Sequence, residues 1–289
     1  MATHTDEHYY VPHGSHWPAV GSLGLLFMMV GVSSWLNGAD TGFYIMLTGL
    51  AVIVFMITGW FRDVINESVA GVYNEQVDKS FRQGMFWFIF SEVMFFAAFF
   101  GALFYARNMA IPWLGGDSNN FFTNLLLWEG YESTWPTNGP GNVGGEYETM
   151  PPFGLPLINT ALLLTSSITV TIAHHALIAN KRTQLTFFLA ATFILGFIFV
   201  YLQGVEYVHA YQDLNLKLTS GIYGSTFFML TGFHGMHVTI GAIMLTIIFL
   251  RVIKGHFTPQ NHFAFEAVAW YWHFVDVVWI GLYVFVYWM

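Results

Sequence analysis

Seven long apolar stretches, with every lysine and arginine of the chain lying between them, constrain this sequence more than any other feature. They run from Pro18 to Leu36, Phe43 to Phe61, Gly84 to Tyr105, Leu157 to Leu177, Leu185 to Leu202, Ile222 to Leu250 and Ala267 to Trp288. A helix needs roughly 20 apolar residues to cross the hydrocarbon of a bilayer. Transmembrane barrel strands are shorter and alternate in polarity, which these stretches do not. The pattern therefore predicts an all-α membrane protein of seven transmembrane helices. Composition agrees: 55% of the residues are hydrophobic and only 9% charged, whereas soluble domains carry about a quarter charged residues. That balance excludes a disordered chain. With 9 basic against 17 acidic residues it also excludes a nucleic-acid binder. The absence of cysteine removes disulfides, iron–sulfur clusters, thiolate metal sites and thiol nucleophiles.

The basic residues give an orientation. Arg62, Lys79, Arg82, Lys181, Arg182, Arg251 and Lys254 fall in the even-numbered connections, and only Arg107 and Lys217 in the odd ones. By the positive-inside tendency the even connections are cytoplasmic, with the N-terminus inside and the C-terminus outside, on the periplasmic side in a bacterium. The opening MATHTDEHYYVPHGSHW has no positive n-region, so it reads as a retained cytoplasmic tail. The chain reads as one domain, 1–289. Spans 1 and 2 (18–61), joined by Asn37 and Gly38, form a hairpin separable from spans 3–7 (84–288). The one long connection, 106–156, is rich in Gly, Asn, Trp and Pro and falls outside. Within it Asn119 to Trp128 reads equally as a short interfacial helix or as an ordered loop.

Ionisable groups inside a span are costly and mark candidate sites. Glu92, in FIFSEVMFF, lies about 12 Å below the cytoplasmic surface at ~1.5 Å per residue. It reads either as a hydrogen-bonding strut or as a proton-handling carboxyl, with no further acid in its span to form a relay. The intramembrane histidines are His174, His175, His234, His237 and His273. His234 and His237, three apart, share a helix face. A haem would need facing ligands at matched depth, and His237 and His273 differ by about 10 Å by helical rise. Helix–helix hydrogen bonding is therefore favoured over metal or haem ligation. His273 and Asp276 read as a mutually satisfied buried pair. Trp60, Arg62, Asp63 and Glu67 after span 2, with Arg251 and Lys254 after span 6, read as positive-inside flanks or as a binding place for anionic lipid headgroups.

Six segments resemble the subunit III family of haem–copper cytochrome c oxidases: GWFRDVINES (59–68), FIFSEVMFF (88–96), PLINTALLLTSSITVTIAHH (156–175), GVEY (204–207), YGSTFFMLTGFHGMHVTIG (223–241) and HFAFEAVAWYWHFVDVVWIGLYVFVYW (262–288). The resemblance implies seven helices, with 1–2 separated from 3–7 by a V-shaped lipid cleft. It implies an accessory, metal-free subunit of a proton-pumping aa3-type terminal oxidase that reduces oxygen to water. Such a subunit has no catalytic centre and packs beside subunits I and II, which hold the haem and copper. It binds phospholipids and sustains proton uptake and stable turnover, with cytochrome c as electron donor. Glu92 corresponds to the family's carbodiimide-reactive carboxyl, and Trp60, Glu67 and Arg251 to its lipid contacts. Tyr73 and Asn74 stand where many members have His-Thr. The long 106–156 connection points to a bacterial inner membrane rather than a mitochondrial one. Two other functions compete. A quinol-oxidase subunit III commonly lacks the first two helices. A stand-alone seven-helix transporter would show broken helices or repeated halves, and a retinal protein would need a lysine inside a span.

Overall fold

A computed structural model describes residues 10–11 and 14–288; most of the N-terminal tail and Met289 lie outside the described residues. The described chain is helical throughout its regular structure, and seven of its helices are long and apolar enough to cross a membrane. These are α1 (Trp17–Leu36), α2 (Thr41–Val69), α3 (Glu75–Tyr105), α6 (Leu155–Ile178), α7 (Arg182–Gln212), α8 (Gly221–Ile253) and α9 (Phe263–Leu282). The long connection holds two short helices, α4 (Ile111–Leu114) and α5 (Phe121–Leu127). A π-helical turn, Ala106–Ala110, carries α3 on into α4, and a second, Tyr283–Trp288, prolongs α9.

Most of these helices outrun the apolar stretches that predict them. Hydropathy registers only the hydrocarbon-crossing middle of a helix, while the backbone goes on hydrogen bonding into the interface. Arg62 thus lies on α2, Lys79 and Arg82 on α3, Arg182 on α7 and Arg251 on α8, on helix ends rather than between spans. The first turns of α3 are supported by Glu75–Lys79 at 2.8 Å and Asp78–Arg82 at 2.7 Å, the i,i+4 spacing that places opposite charges side by side.

The chain divides into two compact units, up to Gln83 and from Gly84 onward. In the first, α1 and α2 form an antiparallel hairpin whose contact is made by glycine. A Cβ added to Gly31 would overlap the backbone of Met46, and one added to Gly42 would overlap that of Trp35. Small residues let membrane helices approach until their backbones touch, which supplies dispersion contact where lipid gives no hydrophobic drive. Trp17 closes the far end, its indole N–H donating to Asp63 Oδ2 at 2.7 Å.

In the second unit α6, α7, α8 and α9 pack around a core centred on Trp272, Trp279, Phe199 and Phe227, each at most 1% exposed. Both buried indoles find a hydroxyl on α6: Trp272 Nε1 donates to Ser166 Oγ and Trp279 Nε1 to Thr160 Oγ1, each at 2.9 Å. Within this unit α3 meets α8 and α9 through aromatic side chains. Phe95 lies on Phe233, Phe96 on His237 and Phe274, and Phe88 on Tyr271. Phe86, Trp87 and Phe104 of α3 stay about 60% exposed, the apolar outer surface expected of a chain solvated by lipid or by partner helices.

Candidate functional site

The aromatic seam between α3 and α8 contains one polar link. His237 Nε2 lies 2.9 Å from Glu92 Oε2, while His237 Nδ1 lies 2.6 Å from the Phe233 carbonyl of its own helix. The carbonyl can only accept, so Nδ1 carries a proton. A proton must then sit between Nε2 and Oε2, either on a protonated carboxyl donating to neutral imidazole or on an imidazolium facing a carboxylate. The side chains are 7% and 23% exposed respectively. Phe95 and Phe96 pack against the imidazole, so the shared proton sits among hydrocarbon.

His234, on the same helix, is fully buried and donates or accepts separately: its Nε2 lies 3.1 Å from the Val275 carbonyl of α9. Since a carbonyl accepts, that nitrogen is the donor. Phe199 and Trp279 enclose the ring. His273 does not bond Asp276. Its Nδ1 lies 2.6 Å from Ser167 Oγ and its Nε2 3.3 Å from Thr171 Oγ1, both on α6, and Asp276 keeps a buried carboxyl oxygen without a hydrogen-bond partner. The i,i+3 spacing put the two residues on one face, but the hydroxyls of α6 reach the ring first. In place of one pair, the structure has a set of bonds stitching α9 to α6.

Glu92 is not alone as a buried carboxyl. Glu206, in the GVEY segment, is 0% exposed and accepts a 2.6 Å bond from the Tyr287 hydroxyl. The apolar stretch of span 5 ends at Leu202, whereas α7 continues to Gln212 with Glu206 among its buried residues. Helix continuity past Leu202, with no Pro or Gly-Asn turn before Glu206 apart from the single Gly204, was the available signal.

The groups expected to meet lipid headgroups fall in different units and each is described in its own. In the first unit Trp60 is half exposed and Glu67 accepts a 2.7 Å bond from the Tyr73 hydroxyl. Burial, then the adjoining Glu67 carboxylate, pushes the Tyr73 phenol well above its ordinary pKa. Tyr73 is therefore the residue that holds Glu67. Asn74 caps α3, its Oδ1 accepting from Val77 N at 3.0 Å.

In the second unit Arg251 is 8% exposed, more buried than a headgroup ligand at a helix end would be if it simply faced water. Its guanidinium carbon lies 4.5 Å over the Phe257 ring, and its Nε has no hydrogen-bond partner. A planar cation held by a ring face and short of an acceptor suits an anionic oxygen. Lys254 is exposed beside it. Burial, together with the positive charge of Arg251 and Lys254, lowers the pKa of His256 in the same loop. Arg182 braces that loop from α7, donating to the Phe257 carbonyl at 2.7 Å.

The family model for cytochrome c oxidase subunit III matches residues 7–289. Among relatives, cytochrome c oxidase subunit 3 of Gadus morhua is 41% identical over 287 residues, covering 99% of this chain and 98% of its own length. Those of Dugong dugon and Pongo abelii are likewise 41% identical, over 287 and 288 residues, with the same coverage.

Proposed function

Because the chain belongs to the cytochrome c oxidase subunit III family, we propose that it is the accessory subunit of a proton-pumping aa3-type oxidase, without a catalytic centre, haem or copper of its own. The observation that carries this reading is where three of the five intramembrane histidines, His234, His237 and His273, make their hydrogen bonds. His237 is engaged by Glu92 and the Phe233 carbonyl, His234 by the Val275 carbonyl, and His273 by Ser167 and Thr171. They serve as ties between α3, α6, α8 and α9, and they do not converge on one redox centre. Subunits I and II, with their haem and copper, are the proposed partners, and cytochrome c is the proposed donor to the complex.

On this reading the chain steadies subunit I and its proton uptake, and holds phospholipid. The lipid groups are Trp60 and Glu67 on one unit and Arg251 and Lys254 on the other. The buried guanidinium of Arg251, short of an acceptor on Nε, supports an anionic headgroup there. The two extra N-terminal helices favour cytochrome c over quinol as donor. The long 106–156 connection supports a bacterial inner membrane, with the N-terminus cytoplasmic. The relatives above come from animals, which makes the mitochondrial inner membrane the competing location.

The test is to compare the oxidase with and without this chain. Without it, the haem and copper spectra and the initial rate of oxygen reduction should persist, while activity decays during sustained turnover. Loss of the haem spectrum on removal would overturn the accessory reading, as would stoichiometric haem or copper on the chain purified alone.

A further inference from the structure

Beyond the oxidase function, the core of the second unit holds a polar site between α6 and α7. Asn159 of α6 and Glu206 of α7 are both 0% exposed. Among the described residues, neither Nδ2 nor Oδ1 of the Asn159 amide has a hydrogen-bond partner, and Glu206 Oε2 has none either. Glu206 Oε1 accepts from the Tyr287 hydroxyl at 2.6 Å. We propose that Glu206 is a neutral carboxylic acid and that it shares with Asn159 an internal binding site for water.

The helix register brings the two residues together. Thr169 of α6 lies 2.9 Å from Thr192 of α7, hydroxyl to hydroxyl. Ten residues from Thr169 toward the Leu155 end of α6 is Asn159, and fourteen from Thr192 toward the Gln212 end of α7 is Glu206. At ~1.5 Å per residue they stand about 15 and 21 Å from the threonine pair, so their depths differ by about 6 Å. Cα–Cβ bonds tilt toward the N-terminus of their own helix. In this antiparallel pair the two side chains therefore lean toward one another and close the offset. The end of α9 reaches both. Trp279 donates to Thr160, the neighbour of Asn159, its ring lies 5.9 Å from that of Tyr287, and Tyr287 donates to Glu206.

The surroundings select the neutral form. An ionised carboxylate with no exposed surface needs a cation or several donors. Among the described residues Glu206 has one donor, the Tyr287 hydroxyl, while His209, one turn along α7, is turned to Asp213 at 2.7 Å. With its proton on Oε2 the carboxyl accepts at Oε1 and requires an acceptor for Oε2–H. Asn159 leaves one donor and one acceptor unmet whichever way its amide is turned. A buried water makes about three hydrogen bonds, and Oε2, Oδ1 and Nδ2 are the groups that require them; left unmet, each would carry its full desolvation penalty. No lipid headgroup or partner side chain reaches atoms without exposed surface. Phe199 against Trp279 and Phe227 against Tyr287 line the neighbouring core with aromatic rings. Water is small enough to be enclosed there and can both donate and accept.

The experiment compares the assembled oxidase carrying Glu206→Gln with the unaltered complex by infrared difference spectroscopy at neutral pH and equal haem content. The variant should lack one protonated-carboxyl C=O band that the unaltered complex shows. Loss of a carboxylate band in its place, or of no carboxyl band at all, would overturn the neutral acid. A second measurement needs no variant: a structure of the unaltered complex that resolves internal waters should place one within about 3.2 Å of both Glu206 Oε2 and the Asn159 amide. A dry site, protein atoms filling those hydrogen bonds, or separate waters on the two residues would overturn the shared site.

Discussion

His237 faces Glu92 with one ring nitrogen and its own helix with the other, so a single proton on the line between Nε2 and Oε2, 2.9 Å long, satisfies both side chains. The pair is electrically neutral as a unit whichever atom holds that proton. This lets a carboxyl and an imidazole sit together in a seam of phenylalanines without an unbalanced charge, which hydrocarbon would penalise heavily.

Replacing Glu92 by Gln keeps a donor for Nε2, so the complex should assemble with its metals and near-normal thermal stability. Carbodiimide labelling of this subunit should vanish, and labelling that persists would place the reactive carboxyl elsewhere. Glu92→Leu removes the donor, leaves Nε2 unpaired and should cost about 1–3 kcal/mol. Equal melting of the Gln and Leu variants would show that the bond contributes nothing.

Tyr287→Phe should destabilise by about 1–3 kcal/mol, because it strips the 2.6 Å bond from Glu206, a carboxyl with no exposed surface. Adding Glu206→Leu removes the stranded group and should recover much of the loss, since replacing both partners by apolar groups is often near neutral. Additive losses in the double variant would count against a coupled pair.

Arg251→Ala should lower the phospholipid that stays with the purified complex, and Arg251→Lys should retain part of it, a point charge lacking the planar fork. Lipid mass spectrometry at equal haem content reads the difference. Lipid content unchanged by the alanine would remove Arg251 from the headgroup site.

The chain contains no cysteine, so single cysteines report orientation without background. A membrane-impermeant maleimide should label Val143→Cys, in the long connection, in intact cells, and Lys79→Cys only after permeabilisation. The reverse pattern would invert the assigned topology.

The hairpin of α1 and α2 was legible from Asn37-Gly38 between two apolar stretches, and the existence of each spanning helix from its hydropathy. Helix ends were not. The i,i+4 ion pairs that carry α3 back to Glu75, and the extension of α7 past Leu202 to Glu206, involve polar residues that an apolar window discards. Among site residues, the sequence marked His234, His237, His273 and Glu92 as polar groups in hydrocarbon. It paired His273 with Asp276, where the structure gives His273 to Ser167 and Thr171.

Hydropathy is a sum over neighbours in the chain. The sequence by itself therefore determined that this is a seven-helix membrane protein, and its motifs identified the family. Which polar group meets which was decided only by the tertiary structure. Glu92 and His237 are 145 residues apart, Glu206 and Tyr287 81, and one position of slip turns a helical side chain by about 100°. Such meetings depend on the rotation and depth of each packed helix, quantities that no local pattern of residues encodes.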